Sequence, residues 1–406
     1  MSQVGSVVIV GGGLAGASAA FALREHGFGG RLVIVGEESH LPYERPPLSK
    51  GYLRAEDPAD KMRVKPGADY DRAGIELLHA RGVALDAGRR ELRLDNGAKL
   101  GYDRLLLATG SASRRLHMPN ADLDGIHYLR TQDDADALQA AAATATSIAI
   151  VGGGWIGSEV AASLRQLGHA VTMVMNIAAP LEHVLGLEVA SVYADLHQAN
   201  GVTLVTGMVE AIEGDGCVSG LLLEDGRRIP ADLVVVGVGA VPRTELAEVA
   251  GLAMANGGVA VDQYLRSSDE HIYAAGDIAA AWHPRLNRRV RVEHWDNAAE
   301  QGRAAAINLL GGSTPYERTP YFYSDQFDLG MEYRGAPTAW DQVILRGDVA
   351  AREFLAFWLQ RGHVVAAMNA NIWDAGDALA DLVDREASVD PDRLSDLAHP
   401  LEDVAA

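Results

Sequence analysis

Apolar residues recur along this chain in short unbroken runs. Val7-Val8-Ile9-Val10 is the first. A run of that kind, rich in β-branched residues and lacking polar alternation, predicts a strand covered on both faces, as in a parallel sheet. It feeds into Gly11-Gly12-Gly13-Leu14-Ala15-Gly16 and then into Ala17 to Leu23, a stretch of good helix formers. Arg31-Leu32-Val33-Ile34-Val35-Gly36-Glu37 is the next predicted strand, and it ends in an acid. Pro46-Pro47 forbids a regular helix or inner strand, so Pro42 to Lys50 reads as an ordered loop or the entry to a helix near Pro47. Tyr102 to Leu107 predicts another buried strand, closing in the turn Ala108-Thr109-Gly110.

The pattern then repeats. Ile148-Ala149-Ile150-Val151 leads into Gly152-Gly153-Gly154-Trp155-Ile156-Gly157, Glu159 to Leu167 predicts its helix, and Ala170 to Val174 its second strand. Asp232 to Gly239 closes this unit much as Asp103 to Gly110 closes the first. Ile272 to Ala274 is a further strand ending in Ala275-Gly276-Asp277, and a helix is predicted from about Asp296 to Leu310. Beyond Pro320, aromatic and alternating apolar residues such as Phe354-Leu355-Ala356-Phe357-Trp358 predict the strands of a small α+β domain. The tail from Glu386, polar and acidic with Pro391 and Pro400, is expected to be partly mobile.

The glycine spacing has a steric meaning. Gly11 permits a tight turn, Gly13 lets a pyrophosphate approach the backbone, and Gly16 lets the helix pack close to the strand. A helix starting there offers its unpaired N–H groups and the positive end of its dipole to phosphate. Glu37 follows where an acid takes the ribose hydroxyls of a dinucleotide, about twenty residues on. Strand, turn, helix, strand and terminal acid together, with the glycine turn recurring at Gly152, Gly154 and Gly157, predict two Rossmann-type dinucleotide-binding units in an α/β chain.

Composition narrows the class. The chain has 406 residues, enough for about two or three domains. No apolar run approaches the length of a membrane span, and no basic stretch precedes an apolar core at the amino end, so a cytoplasmic protein is expected. A net charge of −20 argues against nucleic acid or an anionic membrane as partner. The lone Cys217, in a turn-like context, excludes a disulfide framework and a redox cysteine pair within the chain. No His/Cys spacing suggests a metal site. Lysine is rare: Lys50, Lys61, Lys65 and Lys99 are the only ones among 35 basic residues, which singles out Lys50 at the end of the Pro-Pro loop.

Taken in order, Gly11 to Gly16, Glu37, Arg45 to Lys50, Ala108 to Gly110, Gly152 to Glu159, Ala275 to Asp277 and Phe322-Tyr323-Ser324-Asp325-Gln326 resemble the FAD-dependent ferredoxin reductases of bacterial oxygenase and cytochrome P450 chains, the putidaredoxin reductase type. The resemblance covers essentially the whole chain. It implies a glutathione-reductase-like fold: an FAD-binding domain in two parts, 1–114 and 247–319, an NAD-binding domain at 115–246, and a C-terminal α+β domain at 320–406. It also implies that Ala15, Glu37, Lys50, Val83, Arg130, Asp277 and Trp295 hold FAD. The same resemblance implies that Gly11, Gly13, Leu14, Gly16, Arg45, Ala108, Thr109, Gly110, Gly276, Glu293, His294 and Tyr323 also line the cofactor site. Gly152, Gly154, Trp155, Ile156, Gly157 and Gly239 would take NADH. Lys50 would pair with Glu159 beside the flavin, where a fixed cation stabilises the charge of the reduced ring.

Four positions depart from the family pattern. Met175 and Ala179 stand where an acid and an arginine are usual, so the carboxylate that normally receives the NADH ribose is missing. No Lys or Arg lies between Arg165 and Arg227 to receive the extra phosphate of NADPH, and Glu182 adds a nearby negative charge, so NADH is expected. Tyr323 replaces a common tryptophan, and Arg243 a common asparagine; no role is assigned to Arg243.

The resemblance further implies a [2Fe-2S] ferredoxin as partner, serving a P450 or Rieske oxygenase, and a monomer or weak homodimer. Arg285, Arg288, Arg289, Arg291, Arg303 and Arg334 are candidates for docking an acidic ferredoxin. Disulfide reductases of the same fold need a cysteine beside the flavin, and Tyr43 to Lys50 has none. A rubredoxin reductase, or a flavin-bound interaction protein like apoptosis-inducing factor, stands as the alternative.

Overall fold

A computed structural model describes residues 4–405. The outermost ends of the first and last expected domains, residues 1–3 and 406, lie outside the described residues. The chain packs into two compact units, one formed by residues 1–44, 59–112 and 240–320, the other by 45–58, 113–239 and 321–406.

In the first unit, Ser6–Val10 sits in the middle of a five-stranded sheet. Arg31–Gly36 and then Ile75–His79 extend it on one side, and Arg104–Leu107 and then Ile272–Ala274 on the other. Every pairing is parallel. In chain order this is 3-2-1-4-5, the doubly wound arrangement, whose crevice opens beyond the carboxyl end of the first strand. Val7, Ile9, Leu105 and Leu106 are fully buried, in one core with Ala19 and Leu23 of the first helix and Leu85, Leu92 and Leu94 of a small antiparallel sheet, so the strand interior never meets water. Helix Leu14–Glu25 packs against helix Trp295–Leu309. The contact is tight at Gly302, where a Cβ would stand 2.4 Å from the carbonyl oxygen of Ala15.

The second unit repeats the plan. Ser147–Val151 is central, flanked by Ala170–Met175 and Thr203–Thr206 on one side and Leu233–Val236 and Ile126–Tyr128 on the other, again all parallel. Cys217, expected in a loop, instead opens strand Cys217–Leu223, just past a hairpin turn at Gly216 (φ 75°). Its side is exposed.

The same unit carries a five-stranded antiparallel sheet in the order Tyr321–Gln326, Leu329–Gly335, His363–Ala370, Glu353–Gln360, Gln342–Asp348. Strand Glu353–Gln360 serves two cores through its period-2 alternation. Phe354, Ala356 and Trp358 join a cluster with Leu185, Val189 and Tyr193, while Leu355, Phe357 and Leu359 join one with Leu379, Leu382 and Leu394. The helical stretch Glu182–Ala199 is broken at Gly186 (φ 76°, ψ 165°), a conformation that costs glycine least. Trp358 turns the break into an anchor by donating its indole N–H to the carbonyl of Leu185 at 3.0 Å.

The carboxyl-terminal tail departs from expectation. It folds back on the sheet: Pro391–Ser395 is helical, and Leu394 and Val404 are buried. The cause is Arg346, itself only 7% exposed. Its guanidinium donates to three tail carbonyls, those of Leu394 (3.1 Å), Asp396 (2.7 Å) and His399 (2.7 Å). A local composition count does not register a distant cation that needs those carbonyls. Replacing Arg346 with Met should cost about 2–4 kcal/mol, since charge-assisted hydrogen bonds contribute about 1.5–3 kcal/mol each and the tail carbonyls regain water. Limited proteolysis with mass spectrometry should then find the first cuts between residues 388 and 400 in the variant, with the unsubstituted tail resistant.

Candidate nucleotide cradles and a buried ion pair

The first glycine turn is shaped by contacts that only glycine permits. At Gly11 (φ 127°) a Cβ would lie 2.0 Å from the carbonyl oxygen of Ala108, and at Gly16 it would lie 2.1 Å from the carbonyl oxygen of Gly11. Gly13 differs, since a Cβ there would meet nothing within 4 Å. Space is therefore held open where the helix begins. Gly13 is the N-cap of that helix, with no side-chain cap bond and no acid in the first turn. The orphan N–H groups of Leu14, Ala15 and Gly16 are left for an external acceptor.

The second turn repeats this atom for atom. Gly152 (φ 115°) would place a Cβ 2.3 Å from the carbonyl oxygen of Gly237, Gly157 would place one 2.5 Å from that of Gly152, and Gly154 faces open space. Gly154 is likewise an uncapped N-cap with no acid in the first turn after it. Trp155, first in this helix, meets Phe322 edge-on at 4.7 Å, and Ile156 is 45% exposed. Gly239 (φ 110°) accepts the Arg114 N–H at 2.9 Å.

Around the first cradle, Glu37 stands at the strand end as expected, and its Oε2 lies 2.7 Å from Nη1 of Arg243. Arg243, which sequence reasoning left without a role, is set in place by the turn before it. Its N–H donates to Gly110 (2.9 Å) and its carbonyl accepts from Thr109 Oγ1 (2.7 Å). Gly276 (φ 79°) carries Asp277 close to the cradle, with a would-be Cβ 3.2 Å from the Ala15 side chain. Gln301 Oε1 accepts the Gly276 N–H at 2.9 Å. Asp277 is buried, and its carbonyl accepts from Arg291. Glu293 pairs with that same arginine at 2.5 Å. His294 is held down to about 4, chiefly by burial, so it is neutral at pH 7. Trp295 begins the helix behind it, and burial pushes the nearby Glu44 carboxyl upward. Val83 lies on strand Gly82–Asp86 and is partly exposed.

The second unit brings Lys50 and Glu159 together. The Pro-Pro segment is a single 3-10 turn, Pro46–Ser49, that delivers Lys50. Lys50 Nζ lies 2.7 Å from Glu159 Oε2, with side-chain exposures of 13% and 6%. Ser49 donates to the same oxygen at 2.5 Å, and Ser324 donates to Oε1 at 2.7 Å. Gln326 Nε2 donates to Ser324 Oγ (3.2 Å), and Gln326 Oε1 meets His197 Nε2 at 2.8 Å. Burial lowers His197, which favours the neutral ring. The Lys50 ammonium also sits 5.7 Å from the centre of the Tyr323 ring. Ser49, Ser324, Gln326 and His197 were not singled out for a role from sequence. Phe322, Ser324 and Gln326 alternate on the buried side of their strand, and that polar alternation on a core-facing side was the available signal. Arg45 donates to the carbonyl of Arg130, which precedes the capping box of Thr131 and Asp134.

The arginines considered for docking are mostly engaged. Arg289 donates to the carbonyls of Val261 and Ala280, Arg291 to those of Asn256 and Asp277, and Arg285 to Thr319. Arg334 lies 3.7 Å from Glu332 and over the Tyr321 ring. Arg303 pairs with Glu300 and keeps 58% of its side chain exposed.

The fit to nucleotides rests on these features: open space at Gly13 and Gly154, uncapped helix starts behind them, and the acid Glu37 directly after strand Arg31–Gly36 in the first unit. Among the described residues no helix is long and apolar enough to cross a membrane.

Comparison with known proteins agrees. Residues 5–302 match the pyridine nucleotide-disulphide oxidoreductase family, and residues 321–405 match the reductase C-terminal family. The chain is 41% identical over 406 residues, 98% of each chain, to the ferredoxin reductase subunit of the 5,5'-dehydrodivanillate O-demethylase from a Sphingobium strain. It is 35% identical to putidaredoxin reductase of Pseudomonas putida, over all of this chain and 98% of that one. The crystal structure of the ferredoxin reductase for the CYP199A2 system of Rhodopseudomonas palustris superposes with a TM-score of 0.95 at 36% identity, covering 99% of this chain and all of that one. The structure of putidaredoxin reductase in covalent complex with putidaredoxin gives 0.94 at 35% identity, covering 99% and 97%. By fold, by duplicated cradle and by sequence, the chain is an oxidoreductase of the pyridine nucleotide-disulphide oxidoreductase family, glutathione-reductase-like in architecture and a member of its ferredoxin reductase branch.

Proposed function

We propose that the chain is an NADH-dependent ferredoxin reductase serving a P450 or Rieske oxygenase in the cytoplasm. The observation that carries this is the same uncapped glycine cradle built once in each unit, with the buried Lys50–Glu159 pair in the second. Bound FAD would supply the redox chemistry, taking a hydride from NADH and passing single electrons to a [2Fe-2S] ferredoxin.

The first unit would hold FAD, with Gly11, Gly13, Leu14, Ala15 and Gly16 around the pyrophosphate and Glu37 on the adenosine ribose. Arg243, bonded to Glu37, holds that carboxylate in place. Gly152 to Gly157 would bind the pyrophosphate of NADH. Lys50 offers a fixed positive charge. Glu159, accepting from Ser49, Ser324 and Lys50, holds that ammonium in one position. No side chain need act as general acid or base. Residues 1–114 and 247–319 as the FAD-binding domain, and 115–246 as the NAD-binding domain, follow the same reading. The relatives named as ferredoxin reductase components support a ferredoxin acceptor.

The direct test loads the purified chain with FAD and offers NADH or NADPH with a panel of [2Fe-2S] ferredoxins and rubredoxins, scored by cytochrome c reduction. Fast turnover through a ferredoxin is expected. Faster turnover with rubredoxin would favour the rubredoxin alternative, and slow hydride transfer with a persistent charge-transfer complex would favour the interaction protein. Arg303→Glu should lower ferredoxin-coupled turnover by about tenfold, the scale of one lost interfacial charge, and leave NADH–ferricyanide activity unchanged. Glu159→Leu removes one partner of a buried ion pair, which costs about 3–5 kcal/mol. A lower thermal midpoint and slower ferricyanide reduction should appear together, whereas Glu159→Asp should recover part of both.

A further inference from the structure

The second cradle poses a problem of selectivity. Its strand Ala170–Met175 ends in a thioether, which accepts no hydrogen bond of consequence from a ribose. Met175 and Ala179 are both 3% exposed. At Gly153 a Cβ would stand 3.0 Å from Met175 Sδ and 3.2 Å from Ile177 Cδ1, so this side of the turn is lined with apolar atoms. No carboxylate stands at this strand end to receive the ribose hydroxyls that NADH carries and NADPH partly lacks.

The segment after the strand is closed in an unusual way. Leu181 takes a left-handed conformation (φ 68°) and donates its N–H to Gly153 at 2.8 Å, which turns the chain back on itself. Glu182 then reaches over this segment. Its Oε2 accepts the N–H of Ala178 at 2.8 Å and that of Ala179 at 3.3 Å. Successive backbone N–H groups converging on one point make an anion-binding concavity. A ribose phosphate would need such donors, and in this chain a carboxylate already holds them. The next cation along the chain, Arg227, is taken up by Asp225 (2.8 Å) and by the carbonyl of Thr206 (2.6 Å).

We infer that Glu182 selects NADH over NADPH in this chain by standing in for the 2′-phosphate, occupying its two backbone donors and repelling its charge. Selection is then by exclusion of the wrong ligand, not by added attraction for the right one. The inference rests on the reading of the second unit as the pyridine nucleotide site.

The test measures binding of NAD+ and NADP+, neither of which reduces the oxidised flavoprotein, by calorimetry on the FAD-loaded protein. The unsubstituted chain should prefer NAD+. Glu182→Ala should tighten NADP+ by about tenfold or more at low salt, where a phosphate's charge is least screened, and leave NAD+ within about twofold. Glu182→Gln should fall between, because its amide oxygen still accepts the two N–H groups and keeps the turn while the charge is gone. The gain should fade at high salt, and the ratio of kcat/KM for NADPH over NADH should rise with it. If both variants lose thermal stability while the NADP+ to NAD+ ratio stays fixed, Glu182 is only the cap of its helix and the inference fails. If the unsubstituted chain binds NADP+ as tightly as NAD+, it fails as well. Absence of both nucleotides from the unsubstituted chain would instead remove the parent reading of the site.

Discussion

A carbonyl oxygen lying where a side chain would begin is the constraint on which the rest depends. Ala108 in the first unit and Gly237 in the second each press against a glycine at the end of the central strand. That approach brings the neighbouring strand's turn over the crevice, and no residue with a Cβ can occupy the position without moving backbone. The helix must then start immediately, uncapped, with its N–H groups facing outward. Phosphate affinity is thus a by-product of how the sheet closes, with no dedicated charged side chain required.

Much of this was legible in the order of the residues. Glycine spacing, apolar runs and the acid at Glu37 are local, and local periodicity reports local structure well. The cradles, the strands that lead into them and the Lys50–Glu159 pairing all followed from pattern and resemblance. What escaped was long-range polar bonding. Ser324 and Ser49 meet Glu159 across separations of 165 and 110 residues, and Arg346 reaches tail carbonyls about fifty residues on. Composition made that tail look loose because its anchor is written elsewhere. Arg243 was passed over for the same reason, since Glu37 lies 206 residues away.

The buried polar chain in the second unit also shows why a charge pair can persist away from water. Removing two ions from solvent is costly unless every lone pair and proton finds a partner. Glu159 has three donors from two separate segments, and the string continues through Gln326 to a neutral imidazole. Each link has a donor and an acceptor assigned, so the geometry of the carboxylate is over-determined. The same principle recurs at Glu182, where a carboxylate gains its place from backbone donors alone.

The two cradles are twins in backbone but not in the residue that opens their helices, Leu14 in one and Trp155 in the other. An indole at the mouth of only one crevice is a built-in fluorescent probe. Its emission responds to what settles beside it, while the aliphatic counterpart is silent. Five other tryptophans are present, Trp295 beside the first cradle among them, so the difference in emission between this chain and its Trp155→Phe variant is what reports occupancy of the second site.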